Sequence, residues 1–533
     1  MLRKTMLYFA RKNLIASAAM ALAMCLGSAV APLAQAADLK IGLAADVSSL
    51  DPHYLNIAPN ISFASHLFDA LVHVDANGRL IPGLATSWKA IDATTWEFKL
   101  RRGVKFHDGS ELTADDVIFS LDRPATLTNS PGPFTSYTKQ IVAKQAVDAY
   151  TVRLKTSKPY GPLPLDVSSI FIISKKAAQH ASTDDFNSGK ALIGTGPFKF
   201  LSFKRGDNIV VTRNDNYWGE KAAWDKVTFR IITSGAPRVA ALLAGDVDAI
   251  DSVPPADIPR LKTNAKFKLE QKISWRTLFW ELDQQNRPSP YITDKAGKPL
   301  ASNPLKDVRV RQAISKAINR KALTERTLEG LAVPASNIVA PGILGYNDSL
   351  AVEAYDPEGA KKLLNEAGYP NGFALTLHGP NNRYINDEQV VQTIAQFLSK
   401  VGIQAKVETL PLAAYFPKAG KSEFSVALLG WGTLATDFGL RTLTGTPNAA
   451  TGWGSWNWGK YSNPALDELV QSSLSSVDDA KREELAKKAA ALALKDYALI
   501  PLYHQYASWA LRKGLKYSAR TDEFTFAHQF KPE

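Results

Sequence analysis

The strongest constraint on this chain lies near its far end. After a charged, helix-forming run, "DDAKREELAKKAAALALKDY" (478–497), the segment "LIPLYHQYASWAL" (Leu499–Leu511) is apolar, aromatic and strand-forming. A strand must pair its backbone N–H and C=O groups on at least one side. Residues 512–533 are too few to build a new sheet around it. The segment is therefore expected to insert into a sheet made from earlier sequence, so that the chain leaves a first domain, builds others and returns.

Strand-like and helix-like segments alternate along the rest of the chain, the pattern of mixed α/β domains, and 533 residues are enough for two or three of them. "DLKIGLAAD" (38–46) reads as a short strand. In "TTWEFKLRRGVKFHDG" (94–109), Trp96, Phe98 and Leu100 share one face and Glu97, Lys99 and Arg101 the other, which predicts a half-buried antiparallel strand. "LTADDVIFSLDR" (112–123) opens a helix with Thr113 as N-cap and Asp116 as its capping-box partner. Val310, Ile314, Ala317 and Ile318 form the packing stripe of another helix, and Gly368 followed by Pro370 stops a third.

The first residues read as an export address. Arg3, Lys4, Arg11 and Lys12 precede a mostly apolar run, Leu14–Leu33, and the small-x-small triplet Ala34-Gln35-Ala36, so a signal peptide (1–36) cleaved after Ala36 is expected. Met24 before Cys25 is too bulky for a lipidation site. Cleavage removes the single cysteine, which excludes disulfides, thiolate metal sites and cysteine nucleophiles from the exported protein. It also takes away four positive charges, lowering the formal net charge from +12 to +8 (12 − 4). The remaining charge is spread along the chain without a long basic block, so nucleic-acid binding is not expected.

Catalytic signatures are absent: there is no H-E-x-x-H, G-x-S-x-G or C-x-x-C. "AGKS" (419–422) mimics the end of a phosphate-binding loop, but Tyr415 stands where its first glycine belongs. None of the eight histidines has a partner at i, i+4, and no metal or cofactor is expected. The pairs Asp115-Asp116 and Asp478-Asp479 sit at helix starts, where capping explains them. Tryptophans 431, 453, 456 and 458 crowd a loop-rich region with Gly430, Thr433, Ser455 and Asn457. Such tryptophans can wall a ligand cleft, or pack a long loop against its own domain.

Several ordered stretches then resemble one family, the dipeptide/oligopeptide-binding solute-binding proteins of ABC importers. They are "LATSWKAIDATTWEFKLRRGVKFHDGSELTADDVIFSLDR" (84–123), "GTGPFKF" (194–200), "RNDNYWG" (213–219), "LLAGDVDAID" (242–251), "PLKDVRVRQAISKAINRKAL" (304–323), "LLNEAGYPNGF" (363–373) and "LIPLYHQ" (499–505). The resemblance implies an α/β fold of the type II periplasmic-binding-protein kind, with two lobes and a hinge, in a three-domain architecture. Domain I is expected at 37–77, 195–282 and 499–533, domain II at 78–194, and domain III at 283–498. It further implies a periplasmic monomer that binds a small or short-peptide solute between its lobes. The protein would pass that solute to permease subunits in the inner membrane, without cofactor and without chemistry.

In peptide-binding relatives an aspartate shortly after the "GW" strand end holds the ligand ammonium, and an arginine elsewhere in domain III takes the carboxylate. Here Gly430-Trp431 is followed by Leu434 and Ala435 at the nearer positions, and Asp437 is the first acid. Asp437 and Arg383, in "LHGPNNRYINDEQV" (377–390), are the candidate anchors, since a guanidinium can grip a carboxylate bidentately. Candidate wall residues are Gly430, Trp431, Trp453, Trp456, His53, Tyr54, Tyr137, Trp275 and Arg276. Alternative solutes on the same scaffold are an opine, an oligosaccharide, a nickel chelate or haem. A secreted carbohydrate-active enzyme would need two carboxylates facing across a cleft, and no such pair is legible.

Overall fold

The computed structural model describes residues 38–533, so the expected signal peptide, Cys25 and the cleavage point after Ala36 lie outside the described residues. Among the described residues no helix is long and apolar enough to cross a membrane.

Two long strands, Phe267–Leu282 and Ile500–Arg512, form the spine of a twelve-stranded sheet. They pair antiparallel from Phe267 opposite Arg512 to Trp280 opposite Ile500, with a register shift between Ile273 and Thr277. The late strand expected from sequence thus lies in the middle of the sheet, one residue displaced. Beyond its Arg512 end the sheet continues through Ala249–Asp251, Asp38–Leu43, Lys226–Ile231, Asn208–Arg213 and Phe198–Lys204. On the other flank the second half of Phe267–Leu282 pairs with Val426–Gly432, which leads to Ala374–Pro380 and its neighbours Ile292–Thr293 and Gln404–Leu410. One sheet therefore runs through two lobes. Trp280, Leu278, Leu502 and Tyr503 are fully buried where the spine meets the second lobe's core, and Trp509 is buried in the first.

A separate four-stranded antiparallel sheet is ordered Ala85–Ala90, Thr95–Leu100, Thr151–Thr156, Ile141–Asp148 and has its own core. Trp96, Phe98 and Leu100 are buried in it, as their alternation requires. Glu97, placed on the polar face, is buried as well, because Arg153 Nε donates to its carboxylate at 2.9 Å. The helix Ala114–Asp122 starts at the Thr113 cap, with the Thr113 N–H donating to Asp116 Oδ2 at 3.0 Å. Gly368 ends the helix Pro357–Glu366 at φ +89, a left-handed conformation that disfavours other residues. Asp478 caps the helix Asp479–Lys495 by accepting from the Lys481 N–H at 2.8 Å.

The small sheet is bound to the first lobe by a buried ion pair. The two terminal Arg123 guanidinium nitrogens, Nη1 and Nη2, each donate to Asp51 at 2.7 Å, and Thr183 Oγ1 adds a third contact at 2.8 Å. Across the gap to the second lobe, the Gly161 N–H donates to the Leu474 carbonyl at 2.8 Å. A Cβ at residue 161 would overlap the Ser476 carbonyl oxygen, so only glycine permits this approach.

Burial alone would raise the Asp51 carboxyl, but the Arg123 hydrogen bonds and charge hold it below its ordinary value. A carboxyl lowered in the folded state stabilises above its unfolded pKa of ~3.9 and loses that contribution as pH falls through the folded value. Asp51→Ala leaves Arg123 buried and uncompensated, and is expected to cost ~3–5 kcal/mol in denaturant unfolding near neutral pH. The deficit relative to native protein should shrink as the pH drops below ~4. A variant as stable as native at pH 7 would contradict the assignment.

Candidate functional site

Where the lobes face one another lies a cavity of about 510 Å3. The first lobe supplies Phe68, Asp69 and His73, together with the C-terminal run Arg520, Asp522, Phe524, Phe526 and His528. The small-sheet region supplies Tyr137, Leu165, Asp166 and Ser169, and the second lobe supplies Gly432, Thr433, Leu434 and Phe438.

The register shift in the spine sets the floor. It releases Trp275 from regular pairing, and the indole lies over Gly432, where an added Cβ would stand 2.8 Å from Trp275 Cδ1. The Trp275 ring meets Phe524 edge-on at 5.9 Å. Phe526 stacks on His528 at 5.4 Å and carries the Arg520 guanidinium 4.2 Å over its face. The strand Val426–Gly432 ends at the cavity, which places Gly432, Thr433 and Leu434 in its wall.

Most polar groups of the wall are already satisfied. Asp69 is buried and accepts from Thr195 Oγ1 (2.8 Å), Trp218 Nε1 (2.9 Å), Tyr217 Oη (3.1 Å) and His73 Nε2 (3.3 Å). Burial pushes its carboxyl up, but these donors win and hold it below its ordinary value. Asp522 is paired with Arg520. Burial lowers the His528 imidazole to about 3, which keeps it neutral. Three buried polar atoms of lining residues, Trp275 Nε1, His528 Nδ1 and Gln529 Oε1, have no protein partner and can serve a ligand. Among the described residues no cluster of His, Cys, Asp or Glu could hold a metal ion.

Of the residues singled out from sequence, Tyr137 and Trp275 line the cavity. Asp437 does not. It is fully buried in the helix Thr436–Leu443, with Arg482 Nε on Oδ2 at 2.7 Å, Arg482 Nη2 on Oδ1 at 3.1 Å and Ser473 Oγ on Oδ2 at 3.1 Å. Its charge is spent inside the lobe, and a ligand ammonium cannot reach it. Trp431 turns away from the cavity onto Trp456 (5.0 Å), which contacts Trp458 (5.6 Å) and Phe416 (5.8 Å). Trp453 packs against Gly445. These tryptophans stabilise a long loop against its own core, the second of the two readings left open above.

Gly430 lies behind the wall because the Tyr384 ring occupies the space a side chain would need, and Tyr384 Oη accepts its N–H at 2.9 Å. His53 is buried with Nε2 2.8 Å from the Phe171 carbonyl, and burial first, then the Arg123 charge, lowers it to about 4. Tyr54 donates to the Asn129 carbonyl at 3.2 Å. Arg276 is committed to Glu523, its Nη2 at 2.8 Å and its Nε at 3.2 Å. Arg383 stands beside that pair, exposed and with no side-chain hydrogen bond or ion pair among the described residues.

Sequence reading missed the wall formed by "RTDEFTFAHQF" (520–530), although its aromatic alternation after the last long strand was visible. Asp166 and Leu165, in the short helix Leu163–Val167, carried no such signal.

The family model for bacterial extracellular solute-binding proteins, family 5, matches residues 79–450. The dipeptide-binding protein of Escherichia coli is 30% identical over 470 residues, covering 82% of this chain and 83% of that protein. The heme-binding protein A of Haemophilus influenzae is 28% identical over 452 residues, covering 79% and 78%. Among solved structures, the ABC transporter-associated periplasmic binding protein DppA of Helicobacter pylori in complex with the peptide STSA matches with a TM-score of 0.73 at 26% identity. That match covers 93% of this chain and 98% of the other. The fold is the two-lobed, hinged α/β architecture of periplasmic binding proteins. The chain belongs to the family 5 bacterial extracellular solute-binding proteins.

The position of Asp437 yields a direct test. Asp437→Ala strands the buried Arg482 and is expected to cost the second lobe ~3–5 kcal/mol in denaturant unfolding. Solute affinity of the folded fraction should change less than twofold. A variant with native stability and lost affinity would return Asp437 to the ligand.

Proposed function

We propose that this protein is the solute-binding component of an ABC importer. On this reading it works in the periplasm as a monomer, closes over a peptide or peptide-like solute, and hands it unchanged to the permease. The observation that carries the reading is an interlobe cavity of about 510 Å3 whose wall is aromatic and whose polar groups are mostly satisfied. Small-molecule sites span roughly 300–1,000 Å3, and an aromatic wall with a few unpartnered polar atoms binds without supplying acid–base chemistry. The three-part division at 37–77/195–282/499–533, 78–194 and 283–498 is proposed with it.

Closure follows from the spine. Two strands join the lobes, and the ligand favours the closed form by as much as it binds that form better. The Gly161–Leu474 hydrogen bond is the contact made at closure. Arg383, exposed beside the Arg276–Glu523 pair, is the cation this reading assigns to a ligand carboxylate. A neutral solute would gain nothing from it.

Isothermal titration with a panel of dipeptides and their C-terminal amides tests the reading. Saturable binding without product formation is expected, and Arg383→Ala should weaken free dipeptides at least ~10-fold while leaving the amides unchanged. Gly161→Val should weaken both at native thermal stability, because the lobes can no longer meet. Hydrolysis of the peptides, or binding confined to sugars, metal chelates or haem, would reject the peptide reading.

A further inference from the structure

The nearer position after the "GW" strand end is Leu434, and Asp437 is consumed by Arg482, so the second lobe offers no free acid to the cavity. The other carboxylates of the wall differ sharply in how well they are served. Asp69 has four donors, Asp75 Oδ1 accepts the Asn77 and Arg79 N–H groups at 2.8 and 2.9 Å, and Asp522 has Arg520 and the Phe524 N–H at 3.0 Å. Asp166 is only 5% exposed, yet it has a single side-chain donor, the Tyr160 hydroxyl at 2.7 Å on Oδ2. No cation lies within ion-pair distance of it among the described residues.

We infer, on the reading that the solute is peptide-like, that Asp166 in the small-sheet region receives the solute's cationic group, an ammonium or other protonated nitrogen. The ammonium anchor has moved to the wall opposite Leu434. A buried carboxylate with one neutral donor is costly, and a ligand cation entering a closed, largely apolar cavity supplies the missing partner.

The protein's own cations do not fill that role. Arg482, on the helix Asp479–Lys495, is held by Asp437, and Arg441, on the helix Thr436–Leu443, gives Nη2 to the Thr451 carbonyl at 2.8 Å. Burial pushes the Asp166 carboxyl up to about 7, and Asp437 adds to this while Tyr160, Arg482 and Arg441 oppose it. Tyr137, on the Thr135–Thr138 turn, also faces it and stays neutral, because burial raises its pKa.

The test is a double comparison by calorimetry. The tightest-binding free dipeptide of the panel and its N-acetyl form are titrated into native and Asp166→Asn protein. N-acetylation should weaken binding to native protein at least ~10-fold, whereas the two forms should bind Asp166→Asn equally. The same acetylation penalty in both proteins would overturn the assignment while leaving the peptide reading intact. Native protein that binds no peptide would overturn both.

The native protein supplies a second arm that needs no variant. Affinity for the free dipeptide should fall progressively, approaching ~10-fold per pH unit, as pH drops below about 7, because protons compete for Asp166. The N-acetyl form should show no such fall. A flat profile for the free dipeptide between about pH 7 and pH 5, where its amine stays largely protonated, would overturn the assignment.

Discussion

The antiparallel pairing of Phe267–Leu282 with Ile500–Arg512 is the interaction on which everything else depends. It joins segments more than two hundred residues apart, buries aromatic side chains of both lobes, and carries the hydrogen-bond ladder from one lobe into the other. Thr277 and His504 add a side-chain hydrogen bond across it at 2.8 Å. The pairing slips between Leu278 and Phe279 and, more widely, between Ile273 and Thr277. The wider break has two consequences. It delivers Trp275 to the cavity floor, and it leaves a locally weakened section of sheet between two rigid cores, where bending costs least.

The cavity is also shaped by a rule about buried charge. A charge taken out of water needs a partner. Around this cleft most charges have one from the protein: Asp51 with Arg123, Asp437 with Arg482, Arg520 with Asp522, and Asp69 with four donors. These groups hold the walls in place and are closed to a ligand. Selectivity is left to the few groups that remain underserved, and on the proposed reading these include two of opposite charge, Asp166 in the cavity wall and Arg383, exposed beside the Arg276–Glu523 pair. A zwitterion would satisfy both. A sugar would satisfy neither.

How much of this was legible in the sequence depended on whether the signal was local. Helix caps at Thr113 and Asp478, the stop at Gly368 and the alternation of Trp96, Phe98 and Leu100 were readable because their partners lie within a few residues. The late strand was readable because its apolar, aromatic run is strand-forming and a strand requires neighbours to pair with. The direction in which a side chain points in the assembled cleft was not readable. Trp431, Trp453 and Trp456 have the composition of a cleft wall, but their loop folds onto its own core. Asp437 lies near the anchor position, yet its partner Arg482 is forty-five residues away on another helix, and nothing near Asp437 announces it. Asp166 was overlooked for the same reason, since its isolation from cations exists only in three dimensions.

On the proposed function, the two-lobed cleft holds a solute and does not transform it. Native mass spectrometry of the protein as isolated from the periplasm tests this most directly. One adduct per chain should be present, and the molecule released on unfolding should be an intact short peptide or peptide-like compound. Release of cleaved or modified fragments, accumulating with time in the presence of the intact compound, would contradict it.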